Sequence, residues 1–314
     1  MPGKSGLEGA GAVSAPFPVL NEMLIAHDFP PAIRREPIHV WAMSSVERVH
    51  LEDEQTVILK SAASPFAREA STLRHVADHV PVPRVHASRI LSDGRLAMLL
   101  QDLGEHPEDD PSLTRGARAA VRIHECMPPR NLPRLSRPRL ASLPVDALAS
   151  WAALQRAGRW TDTEDIRQAL FTLGDIGHYR SRGATTPPFG LCHSEFHPTS
   201  LHDGPAGLYV LDWARAFVGP GLLDLASWED TPKPLNTNAI ADMIVRYVEE
   251  GGHPEAMAKR DGLPPQIWAG GWHRVWISEW YMQQCLFWIP DPANDATVQK
   301  AVRRHLGEAL ECLG

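Results

Sequence analysis

The chain has 314 residues and a mass of 34.7 kDa, enough for one large core or two modest ones, and its 43% hydrophobic and 22% charged content is that of an ordinary globular protein. A formal charge of −7 and a pI of about 6.1 argue against nucleic acid or anionic lipid as the main partner and favour a cationic or neutral small molecule. The cysteines, Cys126, Cys192, Cys285 and Cys312, form no Cys-x-x-Cys pair, and no apolar run approaches the roughly 18 residues of a membrane helix, which excludes a zinc ribbon, a redox motif and a helical span. Met1–Pro18 is rich in Gly, Ala and Ser and lacks an apolar signal core, so it reads as a disordered tail and the protein as cytoplasmic.

Residues 38–60 alternate apolar and polar in short runs around the polar turn Glu52-Asp53-Glu54, which predicts β-hairpin structure. Residues 65–79 switch to helical spacing, with Phe66, Ala70, Leu73 and Val76 on one face, Pro65 in the first turn and Pro81 and Pro83 beyond the end. Strands are expected at Arg84–Leu91 and Leu96–Leu100 across the Ser92-Asp93-Gly94 turn. Gln101-Asp102-Leu103-Gly104 and the acidic, proline-punctuated stretch to Pro111 read as a linker. Helices follow at Ser112–Glu125, Val145–Trp151 and Thr163–Arg180, then short strands, then helices near Asn238–Glu250, Gln266–Phe287 and Asp295–Cys312. The expected organisation is α+β: a tail over 1–18, a β-rich lobe over 19–103 and a larger helical lobe over 104–314.

The segment between those helices carries the chemistry. His193-Ser194-Glu195-Phe196-His197-Pro198-Thr199-Ser200, followed by Leu211-Asp212-Trp213, has the layout of a kinase catalytic loop and metal-binding strand. Glu195 stands where the base Asp belongs, Ser200 where the Asn belongs, and Asp212 where the metal-binding Asp belongs. Phosphoryl transfer is mainly positioning and stabilisation of spread negative charge, so it also needs a cation on the phosphates and an acid to hold it. Only five of the 31 basic residues are lysines, and Lys60 closes a predicted strand with Glu69 one turn into the next helix. His193 and His197 with an acid between them also suggest a zinc site, but Glu195 would point away from a His face, Pro198 opposes a helix there, and no Pro-Cys-x-x-Cys follows.

These motifs together resemble the aminoglycoside phosphotransferase and choline kinase family of small-molecule kinases. Leu191–Ser200 with His197-Pro198 is similar to its catalytic loop, and Leu211-Asp212-Trp213 and Gly221-Leu222-Leu223-Asp224-Leu225-Ala226 to the two segments after it. Phe66-Ala67-Arg68-Glu69-Ala70 with Pro81-Val82-Pro83-Arg84-Val85, and Arg122-Ile123-His124, resemble earlier family segments, so the likeness runs from about residue 38 to 230. It implies a bilobal protein-kinase-like fold, ATP or GTP with Mg²⁺, and a hydroxyl acceptor on an antibiotic, amino alcohol or sugar. Matched by position, Glu195 is the base, Asp212 and Ser200 the metal ligands, and Lys60 with Glu69 the phosphate clamp. Ser44, Ser45, Gln101 and Leu103 are the remaining nucleotide contacts, and Asp224 braces the loop. The exchanged loop residues leave a catalytically silent pseudokinase, binding nucleotide or metabolite, as the competing expectation.

Trp268, Trp272, Trp276 and Trp280 recur every four residues, with Trp288 beyond them, as a slowly drifting aromatic stripe. Two readings stand: core packing between C-terminal helices, or an acceptor pocket in which Trp276, Glu279 and Trp280 bind the substrate.

Overall fold

The alternation in residues 38–60 becomes the centre of a five-stranded antiparallel sheet in the computed structural model, which describes residues 14–105, 111–204, 207–229, 231–289 and 291–314. The first elements in chain order are α1 (Phe17–Ile25), β1 (Ala32–Val40), β2 (Ser44–Leu51), β3 (Thr56–Ala62), α2 (Glu69–Val76), β4 (Val85–Ile90) and β5 (Leu96–Gln101). Next come α3 (Leu113–Glu125), α4 (Arg137–Arg156), α5 (Glu164–Arg180), β6 (Phe189–Cys192), β7 (Leu201–Gly204), β8 (Gly207–Val210) and β9 (Phe217–Pro220). The chain closes with α6 (Leu222–Ser227), α7 (Thr237–Glu249), α8 (Pro265–Gln283) and α9 (Asp295–Leu313). The expected tail lies outside the described residues as far as Val13, as does the stretch 106–110 of the expected linker; Phe17 and Pro18 open α1.

The chain divides into two compact units. The N-terminal one takes the described residues up to 105 together with Thr199–Arg215, so the β7–β8 hairpin and Asp212 pack with the sheet rather than with their chain neighbours. Its strand order is β1-β2-β3-β5-β4. Side chains alternate across a sheet, so Val49, Leu51, Val57 and Leu59 share one face and bury against Leu20, Met23 and Leu24 of α1. Lys60 falls on the opposite face, in register with Val46 on β2 and Met98 on β5. The β-pleat therefore separates the apolar layer from the charge.

The second unit comprises the remaining described residues from 111 to 198 and 216 to 314, and is mainly helical. α4, α5, α8 and α9 pack against one another, while β6 and β9 pair as Leu191↔Val218 and Cys192↔Phe217. α4 starts eight residues before the expected Val145, since its Pro144 is accommodated inside the helix. Among the described residues no helix is long and apolar enough to cross a membrane.

Candidate functional site

α2 opens on Glu69, and Lys60 lies within β3, two residues before its end at Ala62 rather than closing the strand as expected. The Lys60 ammonium donates to Glu69 Oε1 at 2.7 Å and to Asp212 Oδ1 at 2.9 Å, so one cation joins two carboxylates from distant parts of the chain. Burial alone would lower the Lys60 pKa; the charges of Asp212 and Glu69 outweigh it and raise it, which keeps the ammonium protonated. Burial pushes the Glu69 carboxyl up, Lys60 pulls it down, and Asp212 adds to the rise.

The two contacts differ in kind. The Glu69 side chain is 1% exposed and cannot leave Lys60 without stranding a buried charge. The Asp212 side chain is 48% exposed, and a water-screened pair of that sort contributes about 1 kcal/mol or less. Asp212 is the partner that faces solvent. Its backbone has φ +58°, a left-handed conformation that turns the chain between β8 and Trp213, and Trp213 is buried with its indole donating to Val210 O at 3.1 Å. Hard carboxylate oxygens on a half-exposed side chain suit Mg²⁺. Ser200 is buried, and its carbonyl accepts from Leu211 N–H at 2.8 Å, which brings its backbone against the residue before Asp212.

The other expected nucleotide residues lie in this same unit. Ser44 and Ser45 are the first residues of β2; the turn before them is Trp41-Ala42-Met43, and the Ser45 hydroxyl is buried without a hydrogen-bond partner among the described residues. Gln101 ends β5 and accepts from Arg84 N–H through its side chain at 3.3 Å. Leu103 lies two residues further on, half-buried.

Glu195 belongs to the second unit, half-buried between Ser194, at φ +84°, and the fully buried Phe196. The loop around it is held from α6. Asp224 Oδ2 accepts from His193 N–H at 2.6 Å and its Oδ1 from Ser194 N–H at 2.8 Å. One helical turn later, Ser227 Oγ accepts from Phe196 N–H at 3.0 Å. Three backbone amides of the loop, those of His193, Ser194 and Phe196, are thus pinned without using the Glu195 side chain. His124, at the end of α3, sets its ring 3.5 Å from Asp224 Oδ2 and close over Gly221, where a Cβ would come within 2.8 Å of the imidazole. His124, Cys192 and Asp224 place possible metal-ligand atoms within 4.8 Å of one another. Burial and the Asp224 charge push the Cys192 thiol up, so the sulfur is a neutral thiol, and both Asp224 oxygens already serve the loop. The cluster is a brace.

On α8 the aromatic stripe divides. Trp268 and Trp272 are buried and both donate to Arg180 O, at 2.6 and 3.0 Å, which ties α8 to the end of α5. Trp276 is half-buried against Phe217, with ring centroids 4.8 Å apart, and Trp280 packs on Trp288 at 5.1 Å. Glu279 is 5% exposed and accepts from Gln283, its neighbour one turn on.

Sequence reasoning missed Ser227, whose signal was a hydroxyl one turn after Asp224. It also missed Arg48 and His202, which hold the segment after β5 and carried no local signal.

The sequence profile of the phosphotransferase enzyme family matches residues 42–259, more than half of the chain. The chain belongs to this family. Solved structures repeat its fold. A choline/ethanolamine kinase family protein from Mesorhizobium loti is 15% identical, with 88% of this chain and 92% of that one covered and a TM-score of 0.58. Choline kinase LicA from Streptococcus pneumoniae is 12% identical over 94% and 98% of the two chains, with a TM-score of 0.58. A thermostable mutant of an aminoglycoside phosphotransferase, in a ternary complex with ADP and hygromycin B, is 13% identical over 94% and 97%, with a TM-score of 0.54. No curated protein matches the sequence. The fold is therefore α+β and protein-kinase-like, and the protein is a small-molecule phosphotransferase of the aminoglycoside phosphotransferase and choline kinase type.

Proposed function

We propose that the protein transfers the γ-phosphoryl group of a purine nucleoside triphosphate to a hydroxyl of a small molecule, in the presence of Mg²⁺. The Lys60–Glu69–Asp212 arrangement carries this reading, because it sets a fixed cation beside an exchangeable carboxylate. Lys60, kept charged and kept in place by Glu69, binds the α/β-phosphates. Asp212, with Ser200, would hold Mg²⁺, which when bound neutralises phosphate charge. In the reaction the bond between the β-phosphate oxygen and the γ-phosphorus breaks and a bond from that phosphorus to the acceptor oxygen forms. The hydroxyl proton passes to the Glu195 carboxylate, held by a loop that Asp224 and Ser227 make rigid. Position matters steeply in such transfers, and small displacements cost about 100-fold, which is the use of so many backbone ties.

Ser44, Ser45, Gln101 and Leu103 complete the nucleotide contacts, and Trp276, Glu279 and Trp280 the acceptor contacts. Flat rings with a buried carboxylate suit an acceptor that carries an amine, as antibiotics and amino alcohols do, so antibiotic resistance in the cytoplasm is within this reading. The nucleotide in the hygromycin B complex of a structural neighbour supports it. The test incubates the protein with ATP, Mg²⁺ and a pooled library of hydroxylated amines, sugars and antibiotics, and reads the pool by mass spectrometry. A product heavier by one phosphoryl group, absent without Mg²⁺, is expected; an unchanged pool with ATP intact contradicts the reading.

A further inference from the structure

His124, Cys192 and Asp224 meet next to the catalytic loop, all within the second unit, and the brace they form leaves one of its members without a hydrogen bond. The His124 side chain is 3% exposed, and neither of its ring nitrogens has a hydrogen-bond partner among the described residues. Burying a polar group without a partner is costly, so its retention calls for a reason. Tyr247 packs on the ring with centroids 5.3 Å apart, and Gly221 lies so close that a Cβ there would come within 2.8 Å of it. These contacts hold the imidazole in one orientation.

The ring faces the Asp224 carboxylate, with Nε2 3.5 Å from Oδ2. That is long for a hydrogen bond. It is close to the edge of a tetrahedral metal site, where bonds of about 2.0–2.1 Å set neighbouring nitrogen and oxygen ligands about 3.3–3.4 Å apart. Cys192 Sγ completes the set, with the three ligand atoms within 4.8 Å of one another. Thiolate and imidazole suit Zn²⁺ and are poor ligands for Mg²⁺, which takes oxygen. Charge also balances, since a thiolate and a carboxylate offset two positive charges and the imidazole binds neutral. The Cys192 proton, held only by long contacts to Gly219 O at 3.5 Å and Gly190 O at 3.6 Å, leaves to solvent as the sulfur binds. Water takes the fourth position.

We propose that His124, Cys192 and Asp224 form an inhibitory site for a thiophilic divalent cation such as Zn²⁺, which draws the Asp224 carboxylate away from the catalytic loop. As a brace, Asp224 accepts from His193 N–H at 2.6 Å and from Ser194 N–H at 2.8 Å. To bind one ion, the three ligand atoms must close to separations of about 3.3–3.6 Å, so the carboxylate moves toward the ring and the sulfur. The two loop amides then lose their aligned acceptors. Glu195 follows Ser194 directly and shifts with it, and displacements of that kind cost about 10- to 100-fold in rate. Binding at this site is independent of the phosphotransferase reading; only its effect on turnover rests on that reading.

The test titrates Co²⁺, a spectroscopic substitute for Zn²⁺, into the reduced full chain. A thiolate-to-cobalt charge-transfer band with strong tetrahedral d–d absorption is expected, displaced by Zn²⁺ and not by Mg²⁺. Cys192→Ser should abolish the band, and Cys285→Ser, at a buried thiol elsewhere, should keep it. Cooperative urea unfolding shows that each variant is folded. X-ray absorption of the Zn²⁺-loaded parent needs no variant and should find a single sulfur at about 2.3 Å with nitrogen and oxygen at about 2.0–2.1 Å. In turnover, Zn²⁺ should inhibit the parent about 10-fold or more, and added Mg²⁺ should not relieve it. Absence of the band, a band that survives Cys192→Ser, or a metal shell without sulfur overturns the site. Inhibition that Mg²⁺ relieves places the ion at Asp212 and overturns the inhibitory role. Cobalt binding as expected in a protein that phosphorylates no acceptor contradicts the phosphotransferase reading and leaves the metal site standing.

Discussion

Lys60 Nζ lies 2.9 Å from Oδ1 of Asp212, a residue 152 positions further along the chain, and 2.7 Å from Glu69. The buried partner fixes the cation and the other lies half-exposed, so the charge proposed to bind phosphate is in place before any ligand arrives. That preorganisation removes a cost that binding would otherwise carry.

Lys60→Ala should weaken nucleoside triphosphate binding about 10- to 100-fold, the range expected for a charge-assisted contact, and weaken the nucleoside alone much less. Lys233→Ala, at an exposed position, should leave both unchanged. Calorimetric titration with ATP and adenosine checks this. Equal losses in the two variants would make Lys60 an ordinary lysine.

Glu195→Gln preserves shape and removes the basic oxygen, so turnover should fall about 100-fold or more with little change in acceptor KM. Glu195→Asp should also lose activity, because the loop is pinned by Asp224 and Ser227 and cannot advance to meet a shorter arm. Steady-state kinetics on the acceptor identified from the pool reads both. Parental turnover in Glu195→Gln would transfer the role to His197, the next residue able to take a proton near neutral pH.

Asp224→Ala leaves the buried amides of His193 and Ser194 without an acceptor, and each such loss costs about 1–3 kcal/mol. Asp224→Asn keeps one acceptor oxygen and should fall between the parent and Asp224→Ala, both in urea unfolding and in turnover. Stability that does not follow this order would show that the loop is held by something else.

His305, fully buried on α9, has its pKa lowered to about 3 by burial and by the neighbouring Arg274 and Arg304 charges. Between that value and its ordinary 6.5 the unfolded chain binds a proton that the native state refuses, so stability rises with pH across this window and is lost as pH falls through it. From pH 6.5 to pH 5 this amounts to about 2 kcal/mol. His305→Gln should abolish that part of the acid slope in urea unfolding, and an unchanged slope would contradict the assignment.

Local pattern made much of the fold legible. Alternation around Val57 and Leu59 predicted the strands, and Phe66, Ala70, Leu73 and Val76 the helix bearing Glu69. α4 is longer than the expected Val145–Trp151: a proline tends to break a helix, but Pro138 sits in its opening turn and Pro144 is buried within it. The Lys60–Glu69 pairing and the Asp224 brace were legible because their residue types suit one chemistry at known spacings. The Arg48–Asp102 and His202–Leu103 contacts span 54 and 99 positions, and nothing local to any of the four residues announces a partner. Nor does the four-residue Trp spacing reveal that Trp268 and Trp272 share the Arg180 carbonyl.

The central claim is that Lys60, Glu69 and Asp212 form a metal-dependent nucleotide site, and Asp212→Ala tests it most directly. Calorimetric titration of ATP into the parent and the variant, each with and without Mg²⁺, separates the metal's contribution from that of Lys60. The account predicts that Mg²⁺ strengthens ATP binding in the parent and that Asp212→Ala, with Lys60 and Glu69 still paired, loses that strengthening. An identical response to Mg²⁺ in parent and variant would contradict it.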